Sequence, residues 1–347
     1  MKLAKFRKGQ MAVVMTLVIA ALLGVMALGT DVGVMYYNYM QLQKAADAAA
    51  LAGATYFLPQ NATQTLPTPT IAGGCSYASQ QQNIACTYAL NNFAQQTDLS
   101  QGGIYVPAQS PPANIPVGAQ TIQVTLKRTN IPVFFLRALG RSNSYAAVAS
   151  STAVQPTPVS SVHNGLFPVG MSPQPGGASM VYGQVYNLTG DDSPGNWGFL
   201  DIPQGCSGAG CLSHGGGAPL LASNISNGCT CSVSVGDALY PKSGISWGQV
   251  NSAMASIVTN SGATIPSTLT GNESQLVLIP IVDWSGTSGS SSGVPILGFA
   301  EMWIVNYGKS GSNVTISAQF VKYISKYASG GGGPSDYGAY QPPYLVQ

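Results

Sequence analysis

The chain has 347 residues and a formal net charge of +2, and only 7% of its residues are charged. Ordinary globular proteins carry about 25% charged residues, so this composition argues against a cytosolic enzyme and favours an exported, β-rich protein. Four of the 13 Lys and Arg residues lie at the very start of the chain. The remaining 9 basic residues are outnumbered by 11 acidic residues, which excludes a basic surface for nucleic acid. The length allows a hydrophobic core, and we expect an anchor followed by two small domains.

The first predicted element is an apolar helix. The leading cations are Lys2, Lys5, Arg7 and Lys8. They precede an uncharged run of eighteen residues at 11–28, which as a helix is about 27 Å long and matches the hydrocarbon layer of a bilayer. We therefore predict one membrane span, with the N-terminus in the cytoplasm and the bulk of the chain outside. The positions that mark this span are Met11, Leu17, Leu22 and Leu28.

The helix is predicted to continue beyond the membrane to about residue 57, because no breaker occurs before Gly53 and Pro59. Small residues follow one face of this second half, and small residues let helices approach closely. Asp31 lies where the span leaves the membrane, which leaves two interpretations open: hydration at the boundary, or an ion pair with a partner subunit. The predicted helix-packing residues are Asp31, Gly33, Leu42, Ala45, Ala46, Asp47, Ala49 and Gly53.

The stretch 9–54 resembles the N-terminal segment of TadE/TadG-like proteins of Flp-type (tight adherence) pilus systems. The resemblance rests on Gly9 after the cations, on Asp31-Val32-Gly33, and on Leu42-Gln43 followed by AADAAALAGA. It implies a non-enzymatic, single-pass protein of the bacterial cytoplasmic membrane with no cofactor. It also implies that the helix packs with other pilus-assembly subunits in a homo- or hetero-oligomer, while the head projects outside.

Two positions depart from the family pattern. Substrates of the prepilin peptidase typically carry Glu five residues after the cleaved Gly, and Val14 stands there; Val34 replaces a basic residue that often follows the Asp-Val-Gly triplet. The first departure favours an uncleaved anchor. Cleavage after Gly9 and signal-peptidase cleavage after Gly29 remain open alternatives.

The six cysteines predict disulfides, because their number is even and the chain is exported. Cys75 and Cys86 are expected to form a local bridge. The other four have three possible pairings, or a four-thiolate zinc site, although their C-x4-C and C-x-C spacings are unlike a zinc ribbon. These four are Cys206, Cys211, Cys229 and Cys231.

Residues 58–154 are predicted to form a small α+β pilin-like region. A loop is followed by a helix within Cys75–Leu99, with Tyr77, Ile84, Tyr88, Leu90 and Phe93 on its buried face. Strands are then expected near Ile104–Pro107, Gln120–Arg128 and Asn143–Val154. The last two strands, with Pro132–Phe135 and the Gly140 turn between them, also resemble TadE/TadG-like proteins.

Residues 155–329 are predicted to form a β-rich domain, which makes the fold class α+β. Gln155–Val162 resembles a linker in composition, Met180–Leu188 a strand and Ser246–Val258 a short helix. The clearest β signal is three successive runs with Gly/Ser turns, which predict an antiparallel meander: Gln275–Val282, Val294–Asn306 and Asn313–Tyr323. Residues 330–347 are expected to be a flexible tail.

No motif in the chain predicts catalysis. Asp283-Trp284-Ser285-Gly286-Thr287 after an apolar strand suggests a metal-dependent von Willebrand A-like site, but too little chain follows for a doubly wound sheet, and a hairpin loop is favoured. His163, His214 and Asp191-Asp192 lack catalytic context, and Glu301 is expected to face solvent. A surface adhesin or glycan-binding module tethered by the helix is the other alternative function.

Overall fold

A computed structural model describes residues 8–58, 70–111, 115, 119–139, 144–175, 179–189, 198–211, 216–266, 269–285, 289–311 and 313–346. Several predicted features lie outside these residues: Lys2, Lys5, Arg7, the Gly140 turn, Asp191-Asp192, His214 and Thr287. The helices in the described residues are α1 (Lys8–Thr55), α2 (Gln80–Asn91), α3 (Gln96–Gln101), α4 (Ala218–Asn227) and α5 (Trp247–Ile257).

The strands in the described residues run through the whole chain after α3. They are β1 (Gly103–Tyr105), β2 (Thr121–Pro132), β3 (Ser144–Val154), β4 (Thr157–His163), β5 (Val185–Asn187), β6 (Leu200–Asp201), β7 (Ser232–Ser234), β8 (Ala238–Pro241), β9 (Leu276–Val282), β10 (Val294–Ser310), β11 (Asn313–Val321), β12 (Tyr323–Ile324), β13 (Ala328–Gly331), β14 (Ala339–Gln341) and β15 (Tyr344–Val346). A long N-terminal helix followed by antiparallel sheets confirms the α+β prediction.

The N-terminal helix is continuous over 48 residues, as the absence of breakers predicts. Gly9 lies inside its first turn. The helix ends at Thr55, two residues after Gly53. Its two halves differ in surroundings: the first half is mostly exposed, and the second half is covered by α2, β2 and β3.

We call the unit around the second half of α1 the head: α2, α3 and the sheet in which β1, β2, β3 and β15 are neighbours in that order. The single helix expected within Cys75–Leu99 is two helices, because the chain turns at Phe93, whose φ is +71°. Ile84 is buried as predicted, but Tyr88 and Phe93 are exposed, since α2 turns its alanines and Ile84 towards α1. The hairpin of β2 and β3 is longer than predicted and has an irregularity after Arg128.

The β-rich region contains the predicted meander. Strand β10 pairs with β9 on one side and β11 on the other, both antiparallel, and β5 extends the sheet beyond β11. Helices α4 and α5 contribute Leu221, Ile225, Val250 and Met254 to the main hydrophobic core of this region. The helix expected at Ser246–Val258 is thus present as α5, whereas α4 had no counterpart in the sequence prediction.

Two segments differ from their sequence predictions. The expected linker contains β4, which lies between β13 and β14 and buries Val159 and Val162. The expected flexible tail contains β14, which pairs with β4, and β15, which pairs with the end of β3 in the head. Both segments are ordered by backbone pairing with strands that are distant in sequence. Their local content of Pro, Ser and Gly gives no sign of this pairing. The division into regions 1–57, 58–154, 155–329 and 330–347 stays a prediction.

Candidate functional site: the anchor helix and its junction with the head

The first half of α1 exposes its apolar side chains. Met11, Leu17, Leu22 and Leu28 are all exposed, and none of the most apolar 18-residue window is buried inside the chain. This is the one helix, among the described residues, that is long and apolar enough to cross a membrane. Burying a single large apolar side chain is worth roughly 1.5–3 kcal/mol, so a surface this large demands an apolar environment from outside the chain.

The second half of α1 packs against the chain's own head. Its fully buried residues are Leu42, Ala45, Ala46, Ala49, Ala50 and Ala54. They share one hydrophobic cluster with Ile122 and other side chains of α2, β2 and β3. Ile84 of α2 is also fully buried. The small-residue face was expected to pack with other subunits; the structure uses it to hold the head instead. Alanine side chains allow the close approach that this contact requires.

Two glycines of α1 that were predicted to mediate packing have different surroundings. A Cβ on Gly53 would lie 2.6 Å from Ile122 Cδ1 and 3.0 Å from the carbonyl oxygen of Gln81, so only glycine fits there without a shift. A Cβ on Gly33 would have nothing within 4 Å. Gly53 therefore serves the contact with the head, whereas Gly33 lies on an open part of the helix surface. Asp47 makes a local contact, accepting a 2.8 Å hydrogen bond from Gln43.

Asp31 joins α1 to the turn that follows β2. Its side chain is fully buried, and its carboxylate accepts three backbone hydrogen bonds from the turn after β2: from Phe134 at 2.9 Å, Phe135 at 2.9 Å and Leu136 at 2.7 Å. The two interpretations from the sequence, hydration and an ion pair with a partner, are both replaced by this contact within the chain. A carboxylate that receives several backbone N–H groups is held strongly, so Asp31 fixes the turn against α1.

A second polar contact joins α1, β2 and α3. Arg128 on β2 forms an ion pair with the buried carboxylate of Asp98, with Nη2 and Oδ2 2.6 Å apart. The same guanidinium donates to Asn38 Oδ1 on α1 at 3.1 Å and to the carbonyl oxygen of Phe93 at 3.0 Å. The sequence prediction missed this network. Because the chain has few charged residues, the presence of an arginine in a strand with apolar residues was the sequence feature that could have indicated this network.

The six cysteines form three disulfides: Cys75–Cys86, Cys206–Cys211 and Cys229–Cys231. The last two use the four cysteines whose pairing was left open, so these thiols do not form the alternative zinc site. All six sulfurs belong to largely buried residues. The first bridge fixes the segment before α2, and the other two stabilise the loops around α4.

The candidate chemical residues of the β-rich region have structural roles. Asp283 accepts the backbone N–H of Ser285 at 2.9 Å, which closes a turn, and β9 and β10 on either side of it are antiparallel rather than doubly wound. His163 lies opposite Ser232 in the pairing of β4 with β7, and the two side chains are hydrogen-bonded on the surface. Within the described residues no group of three or more His, Cys, Asp or Glu side chains could hold a metal ion.

Glu301 is buried, contrary to the expectation that it faces solvent. It is 4% exposed in β10, and burial raises the pKa of its carboxyl group to about 7, against the opposing effects of the Ser325 hydroxyl and the Lys326 cation. It lines a small pocket of about 170 Å³ together with Glu273, Tyr323, Lys326 and Tyr327. Alternation along β10 failed as a guide because both faces of this strand are covered.

Residues 9–55 match the family model described as Putative Flp pilus-assembly TadE/G-like. The match covers both halves of α1 and confirms the resemblance for that segment. No curated protein and no solved structure matches the chain.

Proposed function

We propose that this chain is a membrane-anchored component of Flp pilus assembly whose first helical half crosses the bacterial cytoplasmic membrane. The observation that carries this proposal is that the family match at 9–55 coincides with the helix whose apolar half is left uncovered. In this proposal α1 tethers the protein, and the head and β-rich region lie in the periplasm or outside the cell. The chain acts by binding other assembly subunits rather than by catalysis.

Charge and cysteine usage support this orientation. Cations are concentrated before residue 9, and the positive-inside rule places such a cluster in the cytoplasm. Three disulfides form in the part that would lie outside, where the environment is oxidising. Both arguments point in the same direction, since each places residues after α1 on the far side of the membrane.

The junction explains how an anchor of this kind supports a head. The buried alanine face, the Asp31 contacts and the Arg128 network hold the second half of α1 inside the head. The membrane segment and the segment that the head surrounds are thus two halves of one helix, and no linker separates them. The surface left for other subunits is the open side of α1 around Gly33, where Tyr36 and Tyr37 are also exposed.

A complementation experiment in the producing bacterium tests the proposal. Deleting the gene should reduce surface pili, and the full-length chain should restore them. A chain in which residues 1–30 are replaced by a cleavable secretion signal should reach the periplasm but fail to restore pili, because its head is no longer tethered. Full restoration by this secreted form would contradict the anchor role.

A small-glycan site is the second candidate function, and the pocket beside Glu301 favours it. Tyrosine rings and hydrogen-bonding groups line this pocket, and such rings offer an apolar face beside a polar group. Binding of the full-length chain to a glycan array, abolished by Tyr327→Ala but not by Tyr36→Ala, would support this function. Absence of any bound glycan would eliminate it.

A further inference from the structure

The turn that Asp31 holds carries two phenylalanines that the rest of the chain does not cover. Phe134 is 62% exposed and Phe135 is 46% exposed. Both backbone N–H groups are hydrogen-bonded to Asp31, which holds the turn beside α1. Exposed large side chains at a rigid position indicate a contact surface.

This turn lies alongside the apolar half of α1 and forms a groove of about 520 Å³ with it. The groove is lined almost entirely by apolar groups of Leu23, Gly24, Met26, Ala27, Leu28, Thr30, Phe135 and Leu136. Leu23 lies eight residues before Asp31, which is about 12 Å along a helix. The groove therefore extends from near Asp31 down to the level of the predicted membrane span.

The surroundings of this groove decide what fills it. Its α1 wall belongs to the segment that crosses the bilayer in the proposed function, on which this inference rests, so the medium beside Leu23 and Leu28 is hydrocarbon. Arg137 follows the two phenylalanines and is exposed. Aromatic rings next to a cation match the boundary between acyl chains and phosphate groups. The negative charge of Asp31 does not oppose this placement, because its carboxylate accepts hydrogen bonds from backbone N–H groups.

We propose that the Phe134–Leu136 turn inserts into the outer leaflet of the membrane and that phospholipid acyl chains fill the groove between this turn and α1. The head then rests on the membrane at two points, the span itself and the turn. Two contacts fix the rotation of the head about the helix axis, which a single helix in a fluid bilayer would leave free. The side of α1 around Gly33 is thereby held in one direction relative to the membrane.

Photo-crosslinking of the full-length chain tests this inference. The photoreactive residue p-benzoylphenylalanine replaces Phe134 in one protein and Phe93 in the control, and both proteins are placed in vesicles of phosphatidylethanolamine and phosphatidylglycerol. Phe93 is a matched control because it is also exposed, and its carbonyl oxygen binds the guanidinium that contacts Asn38. Asn38 lies seven residues beyond Asp31, about 10 Å further from the membrane.

The expected result is a phospholipid adduct at position 134 at least about tenfold more abundant than at position 93, since burial of one phenylalanine in hydrocarbon shifts its distribution by that much or more. An adduct to a second protein chain at position 134, or equal lipid adducts at both positions, would overturn the inference. Phe134→Trp and Phe93→Trp offer conservative replacements: phospholipids with brominated acyl chains should quench only the tryptophan added at position 134.

Alkaline extraction of the same vesicles separates the two proposals. If the chain resists extraction but forms no lipid adduct at position 134, the result agrees with the proposed membrane span and contradicts only the proposed insertion of the turn. A chain that is washed from the vesicles contradicts the proposed membrane anchor, and the inserted turn is then contradicted as well.

Discussion

The carboxylate of Asp31 accepts the backbone N–H of Leu136 at 2.7 Å, across 105 positions of sequence. Phe134 and Phe135 donate to the same carboxylate, so one side chain of the anchor helix organises a whole turn of the head. This relationship gives Asp31 a role within the chain, where the sequence suggested a role at the membrane surface or between subunits. It also makes the junction between anchor and head testable by substitution.

Replacing Asp31 should loosen this junction. Asp31→Asn removes the charge and one acceptor while the three N–H groups of the turn still need partners, and hydrogen bonds to charged groups are worth roughly 1.5–3 kcal/mol each. We expect the free energy of unfolding to fall by about that amount, measured by chemical denaturation in detergent. Asp47→Asn is the matched control, because Asp47 is partly exposed and accepts a hydrogen bond from Gln43 within the same helix; it should change stability by less than about 0.5 kcal/mol. Equal effects of the two variants would contradict the clamp.

The ion pair between Arg128 and Asp98 should be a second stabilising contact. Removing one partner of a buried pair leaves the other charge uncompensated, which costs roughly 3–5 kcal/mol. We expect Arg128→Met to approach the lower end of that range, because Arg128 keeps some exposure, and to speed hydrogen exchange in α3. Lys127→Met, on the same strand but exposed, serves as the control and should leave exchange in α3 unchanged. Unchanged exchange in Arg128→Met would show that the network is dispensable.

Gly33 and Gly53 of α1 predict opposite outcomes for the same substitution. Gly33→Ala should leave the head intact and stabilise the helix by up to about 1 kcal/mol, since alanine is the better helix former and nothing lies near its Cβ. Gly53→Ala should destabilise the head by roughly 1–3 kcal/mol, because the new methyl group overpacks against Ile122 and α2. Thermal unfolding of both variants measures the difference, and a stabilising Gly53→Ala would contradict the close approach.

A substitution at Gly33 also distinguishes packing within the chain from packing between subunits. Gly33→Leu should not lower the unfolding midpoint of the purified protein, because the site is open in this chain and leucine is a better helix former than glycine. If neighbouring subunits approach this side of α1, the same variant should reduce surface pili, counted by electron microscopy. The control is Val32→Leu, an apolar exchange at the adjacent exposed position. Normal piliation in Gly33→Leu would exclude this side of the helix as the subunit contact.

Glu301 predicts a pH dependence with a definite sign. The pKa of its carboxyl group is about 7 in the folded chain, against 4.5 when unperturbed. The folded state therefore keeps a proton that the unfolded state releases between these values, so stability falls as pH rises from about 4.5 to about 7, by roughly 3 kcal/mol in total. Glu301→Gln should abolish this slope in denaturation measured across the range.

Glu273 is the control for that pH series. Burial raises the pKa of its carboxyl group, but hydrogen bonds from Thr270 and Gly271 outweigh burial and lower the pKa overall. Its contribution to stability is therefore lost as pH falls through the acidic range, which is the opposite sign. Glu273→Gln should leave the slope assigned to Glu301 in place. Persistence of that slope in Glu301→Gln would show that another group titrates.

The sequence predicted the parts of the fold that local pattern controls. The absence of helix breakers predicted the continuous helix α1, alternation predicted β2, and strand-like runs predicted β3 and the meander of β9, β10 and β11. It failed where distant partners decide: β4 was interpreted as a linker because its partners β13 and β14 lie far along the chain. The partners of Asp31 and the burial of Glu301 were missed for the same reason.

Sidedness of the full-length chain in the membrane tests the central claim most directly. Protease added to the outside of spheroplasts should digest the head and the β-rich region, while the first part of α1 stays protected in the membrane fraction. Lysis before protease treatment should expose the cytoplasmic cations as well. A bulk region that is protected in intact spheroplasts, or a full-length chain recovered in the soluble fraction, would contradict an anchor with its N-terminus inside.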